Sequence, residues 1–221
     1  LVINAYIIIF SWWINIKQKT NRKLHKNLEM FFSKPKYKCK AAEYSLLFQP
    51  SGEILPCHYN RGTIYGSFPN ESVTNAWKSK TRKDLVNSIN KGNFNFGCFS
   101  CKDGLEKGLK HSVGINKYDY IQSGNPKFPT SMEFQLDNIC NLECIMCSGE
   151  YSSNIRKNRE HGMPYISPYN DDFVDQLTEY IPHLKYAAFT GGEPFLFNIY
   201  YKIWDKIKVL NPDLQIYVSS N

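Results

Sequence analysis

From residue 131 onward the sequence alternates between two hydrophobic periods, and that alternation constrains the fold more than any other feature. "SMEFQLD" (131–137) sets apolar Met132, Phe134 and Leu136 against polar Glu133, Gln135 and Asp137, the period-2 pattern of a strand with two distinct faces. "DDFVDQLTEYIPHL" (171–184) places Phe173, Leu177, Tyr180, Ile181 and Leu184 at helical spacing, with acids in the first turn, where the helix dipole favours them. "KYAAFTGGEP" (185–194) predicts a second strand ending in glycines. "NIYYKIWDKIKVL" (198–210) predicts an amphipathic helix through Ile199, Ile203, Trp204, Ile207 and Leu210, stopped by Pro212. "LQIYVSSN" (214–221) predicts a third strand. Repeated strand–helix–strand units imply a parallel sheet or barrel, with the chemistry on loops at the carboxyl ends of the strands.

Upstream the grammar differs. In "YSLLFQPSGEILPC" (44–57), two apolar runs flank Pro50-Ser51-Gly52, a hairpin signal. "ESVTNAWKSKTRKDLVNSINKG" (71–92) reads as a helix or helix pair through Val73, Trp77, Leu85 and Ile89, ended by Gly92. "GCFSCKDG" (97–104) reads as a tight, glycine-flanked loop. "QSGNPKFPT" (122–130) has the Gly and Pro content of a linker. The expected division is therefore a leader at 1–36, a small cysteine-rich α+β domain at 37–121, a linker at 122–130 and an α/β domain from 131 to 221.

Charge separates the leader from the rest. The 221 residues carry a formal net charge of +7, yet residues 1–40 hold nine Lys and Arg against Glu29 alone. The remainder has eighteen basic and nineteen acidic side chains, so it lacks the basic footprint of a nucleic-acid binder. The opening "LVINAYIIIFSWWINIK" is interrupted by Asn4 and Ser11 and falls short of the roughly 20 residues a bilayer span needs. Its positive charges follow the apolar run, whereas those of a secretory signal precede it. The first methionine is Met30. We read residues 1–36 as a leader that is not folded and carries no chemistry, its first 29 residues being either upstream translated sequence or a disordered lead-in, with a short membrane anchor as the alternative, and expect a cytoplasmic protein with no membrane partner.

Seven cysteines fall into two groups, Cys39, Cys57, Cys98 and Cys101 before residue 102 and Cys140, Cys144 and Cys147 after residue 139. Without an export signal, thiols are more often metal ligands or catalysts than bridges. "DNICNLECIMCSGE" (137–150) carries C-x3-C-x2-C with no fourth cysteine or histidine nearby. A structural zinc site takes four protein ligands, so zinc here would need distant His161 or His183. An iron–sulfur cluster with one iron left open fits the number three.

"CNLECIMC" directly after a strand, with "TGGEP" ending the next, resembles the radical S-adenosylmethionine (SAM) superfamily. The resemblance implies that Cys140, Cys144 and Cys147 hold three irons of a [4Fe–4S] cluster, and that the fourth iron chelates the amino and carboxylate groups of SAM. Gly191 and Gly192 lack side chains, so backbone can approach a ligand there. By resemblance, Glu193 helps bind the methionine end of SAM, and Ser219, Ser220 and Asn221 stand where relatives contact SAM at the third strand. Met146 occupies a position that is usually aromatic and near adenine. The activity implied is reductive cleavage of SAM to a 5′-deoxyadenosyl radical that abstracts a substrate hydrogen, with flavodoxin or ferredoxin as reductant. Thiolates commonly hold such clusters, and the cofactor carries the radical chemistry. Glu133 and Gln135 read either as lining a barrel interior or as plain surface.

The order "C…PSGEILPC…RGTIYGS…AWKS…GCFSC" resembles the SPASM/twitch domains that carry an auxiliary [4Fe–4S] cluster, here preceding the barrel where relatives usually place it after. Cys39, Cys57, Cys98 and Cys101 would ligate that cluster fully. A zinc ribbon uses the same thiolates, and a thioredoxin-like dithiol at Cys98 and Cys101 is the third alternative. The fold class expected by resemblance is α/β: a partial (β/α) radical SAM barrel, its first three strands, preceded by a SPASM/twitch-like domain. The radical SAM barrel has more strand–helix units than this, so a C-terminally truncated fragment is expected. Peptide modification is common among auxiliary-cluster relatives, and sugar, nucleotide and maturase substrates stay open. The alternative function is a non-catalytic zinc or iron–sulfur module, which has no use for the Gly-Gly-Glu turn.

Overall fold

The computed structural model describes residues 38–109, 114–125 and 127–221. The expected leader, 1–36, lies outside the described residues. Residues 38–221 form one compact unit, a mixed α/β fold built on a six-stranded sheet of order β3-β2-β1-β4-β5-β6.

A short helix, α1 (Lys40–Tyr44), leads into β1 (Ser45–Phe48), which turns back through Pro50-Ser51-Gly52 into β2 (Glu53–Leu55). The pair is antiparallel, as the hairpin signal predicts. Gly52 has φ +91°, and a Cβ there would stand 2.2 Å from the carbonyl oxygen of Phe68, so the turn admits only glycine. β3 (Gly66–Ser67) completes the antiparallel edge. The segment expected to be a helix or helix pair is a pair, α2 (Val73–Lys78) and α3 (Lys80–Asn90), each opened by a serine cap, Ser72 and Ser79.

Two helical boundaries differ from expectation. α4 (Phe99–Glu106) begins inside the segment expected to be a loop, so Cys101 stands in the first turn of a helix. The run 171–184 is helical only as α7 (Asp171–Gln176) and then tightens into 3₁₀ turns at Leu177–Glu179 and Ile181–His183. Pro182 has no N–H for an α-helical hydrogen bond and crowds the preceding turn. The remaining elements are α5 (Gly114–Lys117), β4 (Ser131–Phe134), α6 (Ser153–Asn158), β5 (Tyr186–Phe189), α8 (Asn198–Leu210) and β6 (Gln215–Val218).

The sheet runs through the boundary expected at 122–130. β1 pairs in parallel with β4, β4 with β5, and β5 with β6. The registry aligns Phe48 with Phe134 and Phe134 with Phe189. Their rings stack at 5.3 and 4.9 Å between centroids, and all three are buried. Each buried ring contributes roughly 1.5–3 kcal/mol through apolar transfer. The hairpin segment and the α/β segment thus share one core and do not form separate domains. Phe173 of α7 packs edge-on against Phe48, and Tyr200 and Trp204 of α8 pack against Phe189, covering this face of the sheet. The opposite face carries Glu133 and Gln135, both buried, and the cavities described below open on it. Among the described residues, no helix is long and apolar enough to cross a membrane.

Candidate functional site

The loop after β4 is held by its own polar groups. Asn138 donates through Nδ2 to the carbonyl of Gly149 (2.8 Å), and the N–H of Ser153 donates to the carbonyl of Asn138 (2.7 Å). The N–H of Cys140 donates to Ser153 Oγ (3.1 Å), and Ser152 Oγ donates to the carbonyl of Leu142 (2.7 Å). Ser152 also accepts from the N–H of Ile155 as the cap of α6. The three-cysteine loop is therefore closed by Asn138 against Gly149, and its first residues are clamped to the start of α6. Cys140 is buried, Cys147 partly buried and Cys144 exposed, and no disulfide joins them.

The Gly-Gly-Glu turn closes on that loop from β5. Gly191 and Gly192 have φ +78° and +33°. A Cβ on Gly192 would stand 2.2 Å from the carbonyl oxygen of Ile139, while the N–H of Glu193 donates to that same oxygen at 2.8 Å. The chain's own packing thus requires glycine at 192, before any ligand is considered. Tyr200 locks the two strand ends. Its buried hydroxyl lies 2.8 Å from the carbonyls of Phe134 and Thr190 and accepts from the N–H of Leu136 at 3.2 Å.

Loop, turn and the segment after β6 surround a cavity of about 430 Å³, within the size range of small-molecule sites. Cys140, Cys144, Cys147 and Met146 line it together with Gly191, Gly192, Ser219 and Asn221. Met146 is 87% exposed. Glu193 behaves differently. It is buried and does not line the cavity. Its carboxylate accepts from the N–H of Asn221 (2.8 Å), Ser220 Oγ (2.9 Å) and the N–H of Phe195 (3.1 Å). Burial pushes this carboxyl up, but the three hydrogen bonds outweigh it and hold the group below the ordinary range. In this structure Glu193 fastens the end of the β6 segment to the turn.

Sequence reasoning missed Arg61 and Tyr151, which complete the cavity wall. Arg61 donates to the Tyr151 hydroxyl at 2.8 Å and pairs with Glu150 at 3.5 Å. Arg61 is distant in sequence from the loop and carries no local signal. Gln135 also lines the cavity, bonded to Gln49 (2.9 Å) and Thr190 (3.2 Å). Its strand position already placed it on one face, leaving only the side to be decided.

The four upstream cysteines converge elsewhere. Cys39, Cys57, Cys98 and Cys101 line one small void, of about 10 Å³, with Tyr59, Asn60 and Tyr118 around them. That is room for roughly one water molecule. Asn60 donates through Nδ2 to Cys98 Sγ at 3.3 Å. Gly97, at φ +73°, has no space for a Cβ, which would stand 2.2 Å from Asn60 Oδ1. Burial first, then the charge of neighbouring cysteines, pushes the Cys98 thiol up to about 12 and Cys57 higher still. Buried thiols of this kind are inert as nucleophiles, and a metal would have to displace their protons.

Among the described residues, no three or more His, Cys, Asp or Glu side chains stand ready around one metal ion. The donor sets nonetheless suit thiophilic groups. Three thiols border an open cavity larger than a single ion needs, and four cysteines, three of them buried, line one void with no carboxylate or imidazole among its other lining residues. Comparison with protein-family models, curated proteins and solved structures returned no match.

Proposed function

We propose that the chain is part of a radical SAM enzyme, with Cys140, Cys144 and Cys147 holding a [4Fe–4S] cluster and the adjoining cavity receiving SAM. The observation that carries this reading is the shared cavity: the three cysteines, the Gly191–Gly192 turn, Ser219 and Asn221 line one space at the carboxyl ends of parallel strands. On this reading β4, β5 and β6 are the first strands of a (β/α) barrel. When bound and reduced, a cluster held by Cys140, Cys144 and Cys147 would with SAM supply radical chemistry for hydrogen abstraction from substrate. The chain's own part is to bind and orient. The clamped loop fixes the thiols, Asn221 and Ser219 offer polar contacts, and Met146 gives a polarizable apolar surface at the rim. Glu193 acts by holding Ser220 and Asn221 at the cavity edge.

Cys39, Cys57, Cys98 and Cys101 form the second metal site in this proposal. An auxiliary [4Fe–4S] cluster follows from the SPASM/twitch resemblance, whereas the void of about 10 Å³ favours a single zinc ion. Metal analysis of the Cys140/Cys144/Cys147→Ala protein separates them, since about four irons mean a cluster and one zinc means a ribbon.

The decisive test is anaerobic reconstitution with iron and sulfide, reduction, and chromatography for 5′-deoxyadenosine. Product is expected from the intact protein of which this chain is part and none from its Cys144→Ala variant. Equal product from Cys144→Ala, or none from parent protein that has bound both iron and SAM, overturns the proposal.

A further inference from the structure

A second cavity, of about 290 Å³, opens on the same face of the sheet and is used by neither cysteine group. Its chemistry is narrow. Glu133 of β4 is buried and pairs through Oε2 with Nε2 of His58. Around it stand the rings of Tyr118, Tyr120, Tyr186 and Tyr217. Tyr120 and Tyr186 lie 4.6 Å apart between centroids, and Tyr118 and Tyr120 6.2 Å apart. Burial and the adjacent Glu133 charge push the Tyr118 phenol far above its ordinary range, so it remains neutral.

A carboxylate among tyrosine faces is a receptor for cations. Ring faces attract an ammonium through their quadrupole, and a desolvated carboxylate accepts from it in a charge-assisted hydrogen bond. Two of the protein's own basic side chains already use the site. His58 holds one carboxylate oxygen, and Lys117 at the margin lies 5.4 Å from the Tyr59 ring centroid. An ionised carboxylate has about four acceptor positions, so His58 and the neighbouring Tyr118 leave Glu133 with capacity for another donor. The cavity also adjoins the cysteine cavity. Thr190 lines the first, Gln135 the second, and Gln135 Nε2 donates to Thr190 Oγ1 at 3.2 Å.

We infer that this cavity is an amine site, taking a primary ammonium group on a short apolar stem against Glu133 and between Tyr120, Tyr186 and Tyr217. As a statement of substrate class this rests on the radical SAM reading: an amine seated at Glu133 extends its stem past Gln135 and Thr190 toward the cysteine cavity. As a binding site it stands alone.

The test is calorimetric titration of the metal-free full-length protein with n-butylammonium chloride and with N-acetyl-lysine N-methylamide, beside n-pentanol and butyrate. Both amines are expected to bind, with the lysine derivative tighter if the natural source is a peptide and n-butylammonium tighter if it is a free amine. Glu133→Gln should weaken n-butylammonium about tenfold or more, as loss of a charge-assisted hydrogen bond requires. Tyr120→Leu should weaken it about two- to fivefold while Tyr120→Phe, which keeps the ring face, leaves it unchanged. The tyrosine pair carries the test if Glu133→Gln does not fold. Equal binding of n-pentanol, tighter binding of butyrate, no binding of either amine, or indifference to both Glu133→Gln and Tyr120→Leu overturns the site. Neither SAM nor iron enters this measurement, so its failure leaves the radical reading untouched, and missing 5′-deoxyadenosine leaves the amine site untouched.

Discussion

Gly192→Ala isolates the reason for the glycine pair. If the glycines served only to let a ligand approach, the metal-free protein would tolerate a methyl group there. The structure requires the opposite. A residue with a Cβ at φ +33° meets backbone strain of about 1–2 kcal/mol. The added Cβ would also stand 2.2 Å from the carbonyl oxygen of Ile139 and 2.9 Å from the Phe197 ring. Relief needs a shift of the loop backbone, comparable with overpacking, at about 1–3 kcal/mol. The sum, about 2–5 kcal/mol, is a large part of the 5–15 kcal/mol typical of a domain. Gly191→Ala, at φ +78°, comes only to 3.2 Å from the Asp137 carbonyl oxygen and Gln135 Cα, a tight contact but a milder one than at Gly192, and should cost chiefly the conformational part, about 1–2 kcal/mol. Gly62→Ala meets nothing within 4 Å and should be neutral or stabilising by up to about 1 kcal/mol. Urea unfolding of the metal-free proteins, read as midpoint shifts at constant slope, should rank them Gly192 below Gly191 below Gly62. A loss under about 1 kcal/mol for Gly192→Ala would refute the packing of the turn against Ile139.

Two further outcomes are expected. Tyr200→Phe removes the acceptor of the Leu136 N–H and a donor beside the Phe134 and Thr190 carbonyls, so urea unfolding should show a loss of about 1–3 kcal/mol; a loss under about 0.5 kcal/mol would remove this hydroxyl as the lock between the strand ends. Glu193→Gln tests a depressed carboxyl, whose stabilisation is present above its ordinary 4.5 and lost as pH falls through the lower folded value. The parent protein should exceed the variant in stability near pH 7, and the gap should close below about pH 4; a gap unchanged down to about pH 2 would show that the charge is not what fastens Ser220 and Asn221.

The sequence by itself determined what local chemistry decides. The Pro50-Ser51-Gly52 turn, helix over 71–92, the alternation of strand and helical periods after residue 131, and the grouping of cysteines into four and three were legible. Each depends on near neighbours along the chain, through turn geometry, capping and hydrophobic period. The pairing of β1 with β4 was not legible, because a strand's period names its faces but not its partner. The Phe48–Phe134–Phe189 stack exists only once three distant segments align, and it made one sheet where composition had suggested two domains and a linker. The burial of Glu133 and Gln135 was likewise open, since an alternating strand gives the same pattern whether its polar face meets water or a second layer. Arg61 and Tyr151 entered the cavity wall through tertiary packing, and Glu193 found its partners in Ser220, Asn221 and Phe195 for the same reason. Long-range pairing and desolvation, which no short window of sequence contains, decided where the polar face of the sheet became a pair of cavities.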